Sequence, residues 1–247
     1  MFPVDKQKAF ERANNPEGAA RKKAGLTFQI LKLFSRGIYN SNSMMEQGFQ
    51  RAILSGQAIQ IVGFWGVGDK KSSDATDFLM LDEYKIIKGL IEATTSNKAD
   101  INIILANTHG RFNGYQDFEG YHDSIDLEVR KRDLIPISLD RLYEEWSINL
   151  PDINQPVDEK LWQEFMELKQ SPQLIESAQK HSRSGIKPDK AAFLYWMMRR
   201  QEAEPLSRTF SNGVLFINGS RDLGMATLPK NMPHVYSRFG PVWFQHD

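Results

Sequence analysis

Cysteine is absent from this 247-residue sequence. Its absence excludes disulfide bonds, thiolate metal sites and cysteine nucleophiles, and it fits a reducing compartment. Long apolar runs are absent too: no stretch approaches the roughly 20 residues that a membrane helix needs, and residues 1–15 lack the apolar core of a signal peptide. We therefore expect a soluble, cytoplasmic protein with no membrane partner.

Net charge is also lacking, because 31 basic residues balance 31 acidic ones. Nucleic-acid binders need clustered Lys and Arg to displace counterions, so we expect no nucleic-acid partner. The five histidines are scattered, without the i, i+4 spacing of a helical metal site, and no serine lies in a G-x-S-x-G elbow. We therefore expect no metal, and we discount metallohydrolase and α/β-hydrolase functions.

Alternating strands and helices are what the sequence does contain. Residues 58–65 and 101–107 are continuous apolar runs, as is typical of parallel strands with both faces of the sheet covered. Helical spacing of apolar residues predicts the helices. The predicted strands are 58–65, 101–107, 134–138, 213–217 and 233–237; the predicted helices are 26–34, 44–54, 74–95, 121–132, 140–146, 158–169, 172–182 and 187–203.

Three strand-then-helix units in succession imply a parallel sheet with right-handed crossovers. The predicted fold class is α/β, a Rossmann-like, mostly parallel sheet flanked by helices, with a helical insertion or lid at about 158–203. Residues 1–25 are polar and basic and are interpreted as an arm or short helix, and 26–247 as a single domain. Residues 108–120 are interpreted as a turn-rich loop. Ligands bind beyond the carboxyl ends of the strands in such sheets, so we expect any chemistry at the ends of 58–65 and 101–107.

The first candidate loop follows the strand 58–65 and combines glycines, lysines and a helix N-terminus, which suits a phosphate or carboxylate. It matches neither the dinucleotide fingerprint nor a Walker loop, and a solvated connection is the alternative. Asp77 suits the helix dipole equally well. The candidates here are Trp65, Gly66, Gly68, Lys70, Lys71, Asp74 and Asp77, with Lys70 and Lys71 as candidate catalytic residues.

The second candidate loop follows the strand 101–107. His109 is the best candidate for proton transfer because histidine titrates near neutral pH. Arg111 supplies a cation, Asn113 an amide and Tyr115 a phenol, so that His109 and Tyr115 are candidate catalytic residues and the other two candidate binding residues. The alternative is that residues 113–114 form a turn and that His109 caps the strand end.

Three further candidates for substrate binding lie later in the chain: Tyr195, Arg199 and Arg238. Arginine's planar fork suits a carboxylate or phosphate. Arg199 and Glu202 share a helix face at i, i+3, so an ion pair within the helix is the alternative to an anion clamp. Arg238 is equally explained as a surface residue.

Taken together, these segments resemble the dityrosine/pyoverdine-biosynthesis family, the isocyanide synthases. The resemblance spans about residues 55–245. It depends on a buried strand ending in a Gly/Lys loop, a helix started by Asp74 and Asp77, the strand end LANTHGRFNGY, and the stretch LPKNMPHVYSRFGPVWF. In the family the second strand closes in an Asp-Gly pair, whereas here it closes in Asn-Thr-His-Gly at 107–110, and this chain is shorter.

The resemblance implies a transferase or lyase that condenses an amino acid's amine with ribulose 5-phosphate and releases an isocyanide in secondary metabolism, without metal or cofactor. Lys70 or Lys71 would meet the sugar carbonyl or phosphate, and Arg111, Arg199 or Arg238 would hold the phosphate or carboxylate. The expected partners are thus small molecules, an amino acid and a phosphorylated sugar, and a homodimer is left open.

Two other functions stay open. One is a Rossmann-like methyltransferase or nucleotide-binding enzyme, against which the missing G-x-G-x-G loop counts. The other is a non-catalytic ligand-binding or assembly protein that uses Trp162, Trp196 and Trp243 as a partner surface. Core or lid packing is the alternative for these tryptophans.

Overall fold

The computed structural model describes residues 15–39, 42–66, 71–112, 114–115, 118–152, 156–168, 187–217 and 231–237. The strands in these ranges are β1 (Ser35–Tyr39), β2 (Ile59–Trp65), β3 (Ala99–Leu105), β4 (Ile135–Ser138), β5 (Val214–Ile217) and β6 (His234–Ser237). The helices are α1 (Pro16–Leu33), α2 (Asn42–Leu54), α3 (Ala75–Thr95), α4 (Asn107–Phe112), α5 (Glu119–Lys131), α6 (Leu139–Trp146), α7 (Glu159–Leu168) and α8 (Pro188–Thr209).

The strands form one six-stranded sheet in the order β1-β6-β5-β2-β3-β4. All neighbouring pairs are parallel except β1 with β6, which is antiparallel. The predicted α/β fold with a mostly parallel sheet is confirmed. The strand order reverses between β2 and β5, which is where open α/β sheets form their ligand crevice.

Helices cover both faces of the sheet. Successive side chains of β2 point to opposite sides and therefore join different clusters. Ile59, Ile61 and Trp65 join the core cluster that includes α1, α3 and α5 residues, whereas Val62 belongs to the cluster with α6 and α8. Gly63 permits this packing, since a Cβ there would lie 2.3 Å from the Tyr84 Oη of α3. A larger residue would force the Tyr84 side chain to move.

The predicted insertion at 158–203 contains α7 and α8, and α8 continues to Thr209. Aromatic rings of these two helices pack together, with Phe165, Phe193 and Trp196 fully buried and Trp162 at their edge. Trp196 is therefore a packing residue and not part of an exposed partner surface, and Trp243 lies outside the described residues. The predicted helix 172–182 also lies outside them.

One local prediction is wrong, and one strand was not predicted. Residues 107–112 form the helix α4 and not a loop; it closes where Gly114 adopts a φ of +75° and Tyr115 N–H bonds back to Gly110 O. Gly and Asn in this stretch favour turns, but Gly110 is buried, so packing outweighs propensity. The edge strand β1 was not predicted, because the short SRGIY carries neither an apolar run nor clear alternation.

The start of α1 also differs from the prediction. Asn15 caps the helix by accepting the Glu17 N–H, and Pro16 occupies its first position, as is common at helix starts. The helix was predicted only from residue 26 because its first half buries the small residues Ala20 and Ala24, which give a weak apolar stripe. None of the helices in the described ranges is long and apolar enough to cross a membrane.

Candidate functional site

Two polar clusters flank the carboxyl end of β2, one on each face of the sheet. We call the first the His109 cluster, comprising His109 of α4, Tyr143 of α6, and Arg199 and Glu202 of α8. We call the second the Asp77 cluster, comprising Trp65 of β2, Asp77 of α3 and Tyr121 of α5.

The His109 cluster is centred on the carboxylate of Glu202. Its Oε1 lies 2.5 Å from His109 Nε2 and accepts the Tyr143 hydroxyl at 2.6 Å. Its Oε2 accepts Arg199 Nη1 at 2.6 Å. Glu202 is 1% exposed. A buried carboxylate is tolerated only with such a full set of donors.

Two aromatic rings fix the orientation of the cluster. The Phe64 ring is parallel to the His109 imidazole, with the ring centroids 6.4 Å apart, and Arg199 lies 4.5 Å above the centroid of the same phenyl ring. Tyr195 approaches the imidazole edge-on at 5.7 Å. A cation over the face of a partly buried ring is attracted by about 1 kcal/mol, which helps to hold Arg199 beside the carboxylate.

The charges in the cluster lower the pKa of Glu202 to about 2: burial alone would raise it, but His109 and Arg199 outweigh burial. The pKa of Tyr143 is raised, mainly by burial and then by the charge of Glu202. Glu202 is therefore ionised and accepts hydrogen bonds, while Tyr143 keeps its proton and donates. The Glu202 carboxylate therefore does not take up a proton near neutral pH.

Arg111 lies on α4 but outside this cluster. It pairs with Asp140, which also accepts the Thr108 hydroxyl at 2.5 Å and the Asn107 amide. Asn107 in turn donates to Ser138 Oγ at 3.1 Å. These contacts fasten the start of α4 to the start of α6 and so hold His109 in place. The Arg111 side chain stays about half exposed, so it can still meet a ligand.

The hydrogen bonds of the Asp77 cluster start α3 and connect it to α5 and β2. Asp77 Oδ1 accepts the Tyr121 hydroxyl at 3.0 Å, and the oxygen of that hydroxyl accepts Trp65 Nε1–H at 2.9 Å. Asp77 Oδ2 accepts the Asp74 N–H at 3.0 Å, while Asp74 accepts the N–H groups of Thr76 and Asp77. This reciprocal capping box starts α3. Both Asp77 oxygens are thereby occupied.

The other sequence candidates are dispersed. Lys71 is exposed just before α3, Gly66 is partly buried at the end of β2, and Tyr115 is buried against Phe118. Gly68, Lys70, Asn113 and Arg238 lie outside the described residues. Tyr195 and Arg199 join His109, and the alternative ion pair between Arg199 and Glu202 is present.

Sequence reasoning did not name Tyr143 or Phe64 and treated Glu202 only as a partner of Arg199. No local signal marks Tyr143 and Phe64, since their partners come from distant positions, such as Glu202, 59 residues beyond Tyr143. In the described ranges, no group of three His, Asp or Glu residues is arranged to hold a metal ion. A surface cavity of about 370 Å³ next to Val157, Glu159, Trp162 and Lys190 shares no described residue with either cluster.

Comparison with known proteins gives the fold. No protein-family model and no curated protein sequence matches the chain. Among solved structures, it resembles the PvcA protein of Pseudomonas aeruginosa with a TM-score of 0.59 and 14% identity, over 89% of this chain and 84% of PvcA. What the two share is a fold.

Two tyrosyl-tRNA synthetases match less well. That of Leishmania major, solved with tyrosinol, gives a TM-score of 0.47 at 8% identity over 87% of this chain and 31% of its own. That of Aeropyrum pernix gives 0.42 at 14% identity over 87% and 61%. Scores this low carry no argument about this chain.

Proposed function

We propose that this chain is a small-molecule biosynthetic enzyme similar to the isocyanide synthases, condensing the amine of an amino acid with a sugar phosphate such as ribulose 5-phosphate. The observation that carries the proposal is the His109 cluster at the carboxyl edge of the sheet. An imidazole that contacts a buried, ionised carboxylate is the usual construction of a general acid/base.

The proposed chemistry needs such a group. When an amine adds to a ketone, the nitrogen loses a proton and the carbonyl oxygen gains one, and the water that leaves afterwards needs a further proton. His109 can carry each of these protons in turn. General acid/base catalysis of this kind accelerates reactions by about 10² to 10⁴-fold.

A likeness in fold supports the assignment. The chain has the fold of PvcA, at 14% identity. The fold alone does not determine a reaction. The proposal therefore depends on the cluster, and the likeness in fold indicates which reactions to test first.

Cationic side chains complete the proposed site. We assign Lys70 or Lys71 to the sugar carbonyl or phosphate, since a lysine amine is a suitable carbonyl partner when its charge is reduced. We assign Arg111 or Arg238 to the phosphate or carboxylate. Arg199 is engaged by Glu202, so in this proposal it positions the cluster and is not a free anion clamp.

The first experiment is a thermal-shift screen of the purified chain with ribulose 5-phosphate, amino acids, S-adenosylmethionine and common nucleotides. A ligand at 100 times its Kd stabilises by about 2.7 kcal/mol, and each kcal/mol raises the Tm by roughly 2–4 °C in a domain of this size. We expect a shift with ribulose 5-phosphate. Turnover is then followed by mass spectrometry of amino acid and sugar phosphate mixtures.

Matched lysine variants show whether the shift comes from the proposed site. Lys71→Ala and Lys70→Ala are compared with Lys98→Ala, whose exposed side chain lies at the amino end of β3, across the sheet from the site. We expect the sugar-phosphate shift to weaken in at least one of the first two and to persist in Lys98→Ala. Equal loss in all three would indicate non-specific charge attraction and would contradict the assignment.

A second candidate function is an adenosyl- or nucleotide-dependent Rossmann-like enzyme. The reversal of strand order between β2 and β5 favours it, because nucleotides bind at that point in many open α/β sheets. The same screen separates the two: a shift with S-adenosylmethionine or a nucleotide alone would replace the first proposal with this one.

A further inference from the structure

We propose that Glu202 and Tyr143 are positioning residues that hold the His109 imidazole with a proton on Nε2, so that Nδ1 is the atom that exchanges protons with a substrate. This inference rests on the proposed function, because it names the working atom of the same site. It adds which imidazole nitrogen exchanges protons, and it gives roles to Glu202 and Tyr143, which touch no reacting atom.

The position of the proton follows from the partners of Nε2. An ionised carboxylate only accepts hydrogen bonds, so a nitrogen 2.5 Å from Glu202 Oε1 must be the donor. In a neutral imidazole one nitrogen donates and the other accepts, and the hydrogen bond made by one fixes the state of the other. A proton on Nε2 therefore leaves the lone pair on Nδ1.

Tyr143 and Arg199 keep this arrangement in place. Tyr143 donates to the same oxygen as His109, which keeps Oε1 directed between the two donors, and Arg199 holds Oε2 from the opposite side. With a neutral imidazole, the charges of Arg199 and Glu202 cancel. The buried carboxylate thus has a fixed orientation before any substrate arrives.

Two aromatic rings flank the imidazole. Phe64 lies parallel to it, with an interplanar angle of 3°, and Tyr195 meets it at 69°. Exchanging the two nitrogens requires a flip of the imidazole between these rings and the loss of the bond to Glu202. Only about 10% of the imidazole side chain remains exposed, so a flip has little free space.

The proton-transfer step balances as follows. The substrate atom loses a proton to Nδ1, and His109 becomes an imidazolium whose positive charge faces the Glu202 carboxylate. The Nε2 proton and the ionisation of Glu202 do not change. Nδ1 returns its proton to the leaving oxygen in the next step, which restores the neutral imidazole. The carboxylate stabilises the imidazolium and is never protonated, as in other histidine–carboxylate pairs.

The test is NMR of the free protein labelled with ¹⁵N-histidine, with long-range ¹H–¹⁵N correlations recorded as the pH is raised until His109 is neutral. The His109 signals are identified by their loss in His109→Gln. We expect one neutral tautomer, protonated at Nε2, and a far-downfield ring proton that exchanges slowly with water.

Three variants sharpen the test. Glu202→Gln replaces the carboxylate by a neutral acceptor, so the ring-proton signal should move upfield. Tyr143→Phe removes the competing donor, so it should move further downfield, and this variant still reports if Glu202→Gln does not fold. Glu204→Gln is the matched control: this exposed residue of α8 contacts Arg208 at 3.9 Å and should leave the signal in place.

A neutral His109 protonated on Nδ1, a mixture of both tautomers, or a ring-proton signal unaffected by both Glu202→Gln and Tyr143→Phe would overturn the inference. None of these measurements uses a substrate. A failed condensation assay with the expected NMR result would therefore refute the proposed function alone, and the reverse result would refute only the assignment of Nδ1.

Discussion

The His109 cluster and the Asp77 cluster lie on opposite faces of one strand end and use similar groups: a carboxylate, a tyrosine and an aromatic residue of β2. In the Asp77 cluster one carboxylate oxygen accepts a tyrosine hydroxyl and the other accepts the backbone N–H of the N-cap residue of the same helix. In the His109 cluster the carboxylate is held by side chains from three helices, one of them an imidazole. One arrangement starts a helix. The other holds an imidazole, a group that can take up and release a proton.

The difference shows how to separate architecture from function among buried carboxylates. Each Asp77 oxygen satisfies a group that the fold itself must satisfy, including a backbone N–H at a helix start. Glu202 instead serves Arg199, Tyr143 and His109, three polar side chains that an all-apolar packing would not need. Burying this set gains little stability over an apolar packing, so a functional reason for it is the simpler explanation.

Removal of Glu202 is the strongest test of this comparison. Glu202→Ala leaves Arg199 and His109 without their counter-charge in a buried place, and breaking a buried pair costs about 3–5 kcal/mol. We expect the free energy of unfolding, measured by urea denaturation, to fall by that amount, and Glu204→Ala to change it by less than about 0.5 kcal/mol. Equal stabilities of the two variants would show that the cluster is not formed in solution.

His109→Gln tests function separately from stability. Glutamine can still donate a hydrogen bond towards Glu202 but cannot transfer a proton, so we expect turnover to fall about 10² to 10⁴-fold. The free energy of unfolding should fall much less than in Glu202→Ala. Steady-state kinetics of the condensation and urea denaturation give the two numbers, with His122→Gln on α5 as the control. Full turnover by His109→Gln would mean that the cluster is architectural as well.

A pair of tyrosine variants compares the clusters directly. Tyr143→Phe and Tyr121→Phe each remove one hydroxyl that donates to a buried carboxylate, so each should lower the free energy of unfolding by about 1–3 kcal/mol. Only Tyr143→Phe should also lower kcat, because only that hydroxyl helps to orient a working imidazole. If kcat falls equally in both variants, the Asp77 cluster also contributes to turnover and is not purely architectural.

The sheet was predictable from sequence because its central strands are buried on both faces. The apolar runs at 58–65 and 101–107 correspond to β2 and β3 within two residues. The start of α3 was predicted to within one residue, because the pattern around its cap Asp74 is local. Fully buried strands and helix caps can therefore be predicted from a single sequence.

The His109 cluster was predictable only in part. His109 stands out by its residue type at a strand end, and the ion pair of Arg199 with Glu202 follows from helical spacing. The contact between His109 and Glu202 joins positions 93 apart, and nothing local indicates it. Residues 107–112 looked like a loop because Asn and Gly favour turns, whereas the helix α4 is stabilised by the contacts of Asn107, Thr108 and Arg111 with Asp140.

A second buried histidine gives the smallest and most selective test. His122 of α5 adjoins Tyr121 and Phe118 and has no hydrogen-bond partner at Nε2 among the described residues, unlike His109 with its carboxylate. Burial is the main cause that lowers the pKa of His122 to about 4, from 6.5 in an unfolded chain. Between these values the unfolded chain binds a proton that the folded chain does not, so stability is lost as pH falls.

From pH 7 to pH 6 this loss amounts to about 0.7 kcal/mol for one histidine, and His122→Gln should remove it. Glu83 has the opposite sign: burial raises its pKa to about 7, so the stability it contributes is lost as pH rises from about 4.5 through 7. The difference between wild type and variant, measured by urea denaturation at both pH values, cancels Glu83 and isolates His122. An identical pH dependence in both proteins would mean that the pKa of His122 is the same in the folded and unfolded chains, and that burial does not lower it.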